Sequence, residues 1–589
     1  MFFNLGKLFT YKESRNRLVK YAGYPIGFAL FALLLAIYKS LSLTTEMGGG
    51  VNRFLTLAGL DVFFVALLLL LCILHARVVT RSLQFISWLL LALMSLYYLV
   101  DSFTVLALDE HASLFEIGRY APEWGVVLSF FDIRAFGAIV LLAAAGFLRI
   151  RQTTRTRLIM LLVLVIMLLV AVLSAVSAPQ ALRKYAVLSP LDILDVMTTQ
   201  GLSEVYSEED VQFFTGLKHS AAIIPETRPN VILLVVESLS SINSAKVSGS
   251  GGWLNDFDVL AEQGVLFSNF FANHQASEGG LIALLGGFPP IHFPTATPYM
   301  FDEFAVQPSV IGEYQQAGYF TEFLTNADLA FIGLDRFLSG LGVDHSRGRD
   351  EVDTMKNAPR VVQDAPSDAY LYQEAILTVE RLQAAAQPFV LTVATTSTHL
   401  PYTHPGDGSD TAEAVWAWSM QQLRAFHTQI ADAGFFENGI LLVTGDHRQM
   451  RPVSEREVKR YGDSAKARVP LLVIGKDLPA GEIDTRFFQQ SDLLRLLGKI
   501  DEPHASLSPY PVWVERYNRK YGRIELIDKL GVFDEADGGR HEYRIRVPGN
   551  RIEWLERKPA FARKLETQIH MQRSLHQVVR NKRSVTRQD

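Results

Sequence analysis

A single cysteine, Cys72, occurs in 589 residues, and it stands inside a run of leucines. No disulfide can therefore staple the long polar remainder of the chain. That remainder, about 400 residues, is large enough to bury its own core without one. The chain also shows no internal repeat. No small-residue cleavage pattern follows its first apolar run, which argues for a retained span over a removed leader. The formal net charge is only −5. Basic excess gathers in the last fifty residues, where Arg540 to Asp589 holds thirteen Arg or Lys against five Asp or Glu.

What is abundant is apolar sequence, 49% of the chain, and it is unevenly spread. Five runs precede residue 180: Tyr24–Ile37 with its apolar flanks, Ala58–Leu74, Leu83–Val100, Val126–Leu148 and Leu158–Val176. Runs of roughly 20 residues suit a hydrocarbon core of about 30 Å. The segment "SLSLTTEMGGG" after the first run reads as a loop.

Basic residues in short loops set orientation. Lys7, Lys12, Arg15, Arg17, Lys20, Arg77, Arg81, Arg149, Arg151, Arg155 and Arg157 fall on one side, and Lys39, Arg53 and Arg119 on the other. This places the N-terminus in the cytoplasm and everything after about residue 180 outside, which makes nucleic acid an improbable partner. Asp61, Asp101, Asp132 and Arg134 fall toward the outer ends of their spans, where interface placement is the ordinary expectation.

Residues 181–227 read as amphipathic linker helices, lying on the membrane surface or against the next domain. From 228 the texture changes to short, continuous apolar runs: "VILLVV" (231–236), "GVLFSNFF" (264–271), "FVLTVA" (389–394), "ILLVTG" (440–445) and "VPLLVIG" (469–475). Continuous rather than alternating runs predict strands covered on both faces. Periodic segments such as "YLYQEAILTVERLQAAA" and "SMQQLRAFHTQIADAG" supply the covering helices. The expected architecture is a five-helix membrane domain (1–180), the linker (181–227), a doubly wound α/β domain (228–510) and a basic extension (511–589). Within the last, Arg540 to Asp589 reads as a solvated basic helix or, beside a bilayer, as a contact for anionic headgroups.

In open α/β sheets, ligands bind beyond the carboxyl ends of the strands. Glu237 stands at the end of "VILLVV", His399 in "ATTSTHLPY" after "FVLTV", and Asp446 with His447 in "TGDH" after "ILLV". Ser277 precedes a glycine pair and a short apolar helix in "NHQASEGGLIALLGG". Two carboxylates and an imidazole suit a divalent ion, Mn²⁺ foremost, with Mg²⁺ or Zn²⁺ as alternatives. A hydroxyl next to such an ion is made reactive, which serine otherwise is not.

The order strand–Glu, loop–Ser, strand–"THLPY", strand–"GDH" resembles the sulfatase-like branch of the alkaline phosphatase superfamily. Within it, the chain looks most like the lipoteichoic acid synthases and periplasmic phosphoglycerol transferases, which also carry five N-terminal spans. The resemblance implies one metal held by Glu237, Ser277, Asp446 and His447, with Ser277 as nucleophile and His399 contacting substrate. "RVPLLVIG" and "QQSDLLRLLG" match late structural segments of that family. The Trp and Arg that shape the headgroup pocket there have no match in "NADLAFIGLDRFLSGLGVD" (326–344).

The implied activity is transfer of phosphoglycerol from phosphatidylglycerol, or another phospholipid donor, to an envelope glycan at a bacterial inner membrane. Phosphoethanolamine transfer, hydrolysis and a non-catalytic lipid-sensing role are the alternatives. A formylglycine sulfatase is disfavoured, because Ser277 is followed by Glu278, Gly279 and Gly280 rather than x-Pro-x-Arg.

Overall fold

The computed structural model describes residues 23–112 (save 49, 79 and 109–110) and 133–187 (save 179–181 and 183–184). Beyond these it describes 222–502, save short loops at 250–251, 288–289, 291–299, 306–308 and 407, and six strand segments between 514 and 554. The linker expected over 181–227 lies mostly outside the described residues, as do Arg119 and Asp132. The described residues divide into two compact units, one before residue 200 and one after it.

The first unit holds α1 (Gly27–Met47), α2 (Val51–His75), α3 (Arg81–Leu108), α4 (Ile133–Ala145) and α5 (Thr154–Ser177). Four of these, α1, α2, α3 and α5, contain stretches long and apolar enough to cross a membrane. The fourth expected run is described only as the 13-residue α4, and its first part lies outside the described residues. On α5, Leu158, Leu162, Val165, Leu169, Leu173 and Val176 are all about 60% exposed. Such a face is stable only against hydrocarbon or another apolar surface.

Two details differ from the sequence reading. The presumed loop "SLSLTTEM" is the last part of α1, and the chain leaves the helix only at Gly48, where φ is 67°. Its hydroxyls do not break the helix because Thr44 and Thr45 donate to the carbonyls of Ser40 and Leu41, at 2.7 and 2.9 Å. Lys39, assigned to a loop from the sequence, is therefore intrahelical, and Arg53 lies in the first turn of α2.

The second unit is built on an eight-stranded sheet. Its strands are β1 (Asn230–Val236), β2 (Val265–Phe267), β3 (Phe320–Thr325), β4 (His345–Arg347), β5 (Phe389–Ala394), β6 (Gly439–Gly445), β7 (Leu471–Gly475) and β8 (Glu482–Asp484). The spatial order is β8-β2-β7-β6-β1-β5-β3-β4. All strands run parallel except β7, which is antiparallel to both neighbours.

The apolar run of β1 is continuous because each face of the strand feeds a separate core. Val231, Leu233 and Val235 pack into one cluster, and Ile232, Leu234 and Val236 into the other. Helices Asp368–Ala384 (α6) and Ala412–Asp432 (α7) put Leu371, Val379, Trp416 and Leu423 into the second cluster.

The sequence reading missed β3, β4 and β8. In "FTEFLT" a central Glu322 disguises a strand. Glu322 is 1% exposed and tolerated because Arg347 and Arg381 hold it at 2.8 and 2.5 Å. The run "GVLFSNFF" is two elements: β2 joins the main sheet, whereas Phe270–Phe271 pairs with Phe488–Gln489. The helix expected over the basic tail is contradicted only at its described segments, and the remainder of 540–589 lies outside the described residues. Ile545–Val547 and Glu553–Trp554 are strands of a four-stranded antiparallel sheet with Val514–Asn518 and Arg523–Ile527. Sparse, short alternation hid them.

Candidate metal centre and nucleophile

Strands β5, β1 and β6 are neighbours in parallel register, with Val235 opposite Ala394 and Val236 opposite Gly445. Their carboxyl ends therefore deliver Glu237, Thr395 and Asp446 side by side. The chain must turn at once after β1, and Ser238 takes the left-handed region at φ 60° to do so. Its N–H then donates to Asp446 Oδ1 at 2.8 Å, and its hydroxyl to Glu237 Oε1 at 2.7 Å.

Glu237, Asp446 and His447 are all buried, with one ligand atom from each within 4.8 Å of the others. His447 Nδ1 donates to the Arg448 carbonyl at 2.7 Å, which leaves the Nε2 lone pair facing the cluster. That lone pair looks onto Glu237 Oε1 at 3.5 Å and Asp446 Oδ2 at 3.4 Å. Burial, and then the Glu237 carboxylate, push Asp446 up to about 7. Three acceptors facing one another in a dry site call for a cation, and the oxygen–oxygen–nitrogen set fits a divalent one.

Ser277 completes the arrangement. Its Oγ donates to Glu237 Oε2 at 3.2 Å and lies 3.2 Å from His447 Nε2. Ser277 is not a helix cap: Ala276 occupies that place, with extended backbone, and Ser277 opens the helix Ser277–Leu281. The glycine pair has a steric reason. A Cβ on Gly279 would lie 2.1 Å from His274 Cγ, and one on Gly280 2.2 Å from the Asp446 carbonyl oxygen. Only bare backbone lets the serine loop approach the Asp446 turn so closely.

His399 is buried, and burial brings its ring down to about 4, so at neutral pH it is an uncharged imidazole. Its ring nitrogens lie 2.8 and 2.9 Å from Gln363 Nε2, and Asp446 and His447 are near enough to act on its charge. The structure thus brings Glu237, Ser277, Asp446 and His447 into direct contact, with His399 beside them.

Sequence reasoning missed the groups that hold these residues. Gln490 accepts from Asn273 N–H at 3.0 Å and donates to the carbonyls of Gly445 and Asp446, both at 2.7 Å. One amide thus ties the serine loop to the Asp446 turn. Thr395 and Thr398 hold the backbone of Glu237. Polar residues at strand ends were the available signal, but nothing in the sequence says which of them meet.

Residues 229–498 match the sulfatase family model. Phosphoglycerol transferase I of Salmonella paratyphi B is 25% identical over 258 residues, covering 41% of this chain and 34% of that protein. The chain spans about a third of the length of the curated relatives it matches. Among solved structures, an alkaline phosphatase superfamily protein from Vibrio parahaemolyticus aligns at 19% identity and TM-score 0.47, over 64% of this chain and 97% of that one. The lipoteichoic acid synthase LtaP from Listeria monocytogenes aligns at 17% and 0.45, over 63% and 97%. Among the described residues four N-terminal helices are long and apolar enough to cross a membrane, and residues 229–498 are similar to the sulfatase family.

Proposed function

We propose that this protein is a membrane-anchored phosphoglycerol transferase that uses Ser277 as nucleophile. The observation that carries the reading is the placement of Ser277 Oγ 3.2 Å from both Glu237 Oε2 and His447 Nε2. The similarity to phosphoglycerol transferase I supports the donor class.

Glu237, Asp446 and His447, with Ser277, would hold one divalent ion, Mn²⁺ by preference. Such an ion supplies compensation for two buried carboxylates and a lowered pKa for the serine hydroxyl. Glu237 Oε2 orients the Ser277 hydroxyl and, like His447 Nε2, is an acceptor 3.2 Å from it that can take its proton. Ser277 Oγ attacks the phosphorus of phosphatidylglycerol, and the bond to the diacylglycerol oxygen breaks. That oxygen takes up the proton given up by Ser277, leaving a phosphoglycerol–Ser277 ester. A glycan hydroxyl then attacks the phosphorus, the bond between phosphorus and Ser277 Oγ breaks, and the proton the glycan hydroxyl loses returns Ser277 to its hydroxyl. His399, neutral in the resting site, suits hydrogen bonding to a phosphate oxygen.

The helical unit has a role in this reading. It keeps the domain at the leaflet where the donor's tails remain in hydrocarbon, with the N-terminus cytoplasmic and residues beyond about 180 outside. The division into 1–180, 181–227, 228–510 and 511–589 belongs to the same proposal.

The test is direct. Purified full-length protein is incubated with Mn²⁺ and vesicles of phosphatidylglycerol or, in parallel, of phosphatidylethanolamine, and the peptide containing Ser277 is weighed by mass spectrometry. A phosphoglycerol adduct with diacylglycerol release is expected. An adduct formed only from phosphatidylethanolamine reassigns the headgroup, and the absence of any adduct or diacylglycerol ends the proposal.

A further inference from the structure

Asp368, the first residue of α6, is fully buried, yet it does not serve its own helix. A carboxylate at a helix start normally accepts from that helix's free N–H groups. Asp368 Oδ1 instead accepts from the backbone N–H of Thr396 at 3.0 Å and of Ser397 at 3.1 Å, and from Asn326 Nδ2 at 3.0 Å. Its own N–H donates to Ser397 Oγ at 2.9 Å. Asn326 is fixed in turn by a second bond to the Pro366 carbonyl at 2.8 Å. One carboxylate thereby clasps the turn that leaves β5.

The other side of that turn grips Glu237. Thr395 Oγ1 accepts from Glu237 N–H at 3.1 Å, and Thr398 Oγ1 donates to the Glu237 carbonyl at 2.6 Å. Thr395 N–H also donates to the Val235 carbonyl at 3.0 Å. His399 N–H donates to the Thr396 carbonyl at 3.0 Å. Both backbone polar groups of Glu237 are thus held by side chains from a four-residue turn, and that turn is held by Asp368. An aspartate with a purely local role would leave the turn to the sheet ladder, which ends at Ala394.

We propose that Asp368 is a positioning residue for the metal centre: by fixing the 395–398 turn it sets the place of Glu237 and His399. This rests on the proposed function, in which Glu237 is a metal ligand. Outer partners of metal ligands typically change affinity by about 10–100-fold.

The experiment titrates metal-free, full-length protein in detergent with Mn²⁺ and, separately, Zn²⁺ by calorimetry, for wild type, Asp368→Ala, Asp368→Asn and Thr398→Val. Circular dichroism and the melting temperature are read on each variant. The expected result is a loss of affinity of about tenfold or more for Asp368→Ala in the folded protein. Asp368→Asn, which keeps the accepting oxygen, should restore most of it. Thr398→Val removes one of the two side-chain links between the turn and Glu237, leaves the Asp368 clasp intact, and should weaken binding by several-fold with little change in melting. That variant decides the matter if Asp368→Ala does not fold. Wild-type affinity in Thr398→Val and in folded Asp368→Ala overturns the inference while leaving the metal site standing. Absence of metal binding in wild type overturns the metal reading itself, and this inference with it.

Discussion

Both units of this protein bury carboxylates, and they satisfy them in opposite ways. In the helical unit, Asp61 is fully buried on α2 and receives Lys39 Nζ at 2.6 Å, Tyr98 OH at 2.9 Å and Val187 N–H at 3.2 Å. Lys39 donates again to the Tyr185 carbonyl at 2.9 Å. Every strong group has a partner supplied by the chain itself. In the sheet unit, Glu237 and Asp446 face each other and an imidazole lone pair. No lysine or arginine contact with either carboxylate is found among the described residues. A cation built into the chain makes the first cluster a strut; the second, in the function proposed above, would receive one from solution. The difference separates structural burial of charge from chemical burial.

The sharpest way to break this comparison is at Ser277. Ser277→Ala should lower diacylglycerol release by about three orders of magnitude or more and abolish the phosphoglycerol adduct, while the melting temperature stays within a few degrees. Retained turnover would falsify the nucleophile assignment. Removal of metal by chelation should stop turnover to a similar extent. Re-addition of Mn²⁺ should restore it, and a chelated enzyme that keeps its rate contradicts the metal assignment.

The helical cluster offers the converse test. Asp61→Asn or Lys39→Met alone leaves one buried charge unpaired, at a cost of about 3–5 kcal/mol. Lys39→Met combined with Asp61→Leu should recover most of that loss, measured by denaturation in micelles. If the double variant is as unstable as the singles, the pair is more than a strut.

Smaller, and opposite in sign, is the effect expected at Glu237. Glu237→Gln relieves like-charge repulsion with Asp446, so the metal-free domain should melt no lower than wild type, and about 1 kcal/mol more stably. The same variant should bind Mn²⁺ weakly. A clear loss of metal-free stability would show that the carboxylate serves the fold after all. Gln490→Ala, which unties two loops without touching the reacting atoms, should reduce kcat by about tenfold with KM for the lipid little changed.

The contrast between the units also explains what could be read from the residues alone. Four of the five expected runs were legible as long apolar helices because length and apolarity suffice for them, and β1, β5, β6 and β7 because two-sided burial leaves an unbroken apolar run. Lys39 was misplaced for a related reason: a charge inside a helix resembles a loop until its partner 22 residues later is seen across the bundle. Strand β3 was missed because Glu322 interrupts its apolar texture, and its stabilising arginines come from β4 and α6. Asp368, Thr395, Thr398 and Gln490 carry no motif; they matter through which backbone groups they meet.

The sequence by itself determined four long apolar helices and the two-sided strands β1, β5, β6 and β7, and it singled out Glu237, Ser277, Asp446 and His447 as candidates by side-chain chemistry, since these follow from local hydrophobicity and side-chain type. Tertiary structure decided that those four meet within hydrogen-bonding distance, that His447 turns Nε2 inward, and that bare glycine backbone lets the serine loop close on Asp446. Such outcomes depend on strand order and register, which bring together residues more than two hundred positions apart, and no local pattern encodes that distance.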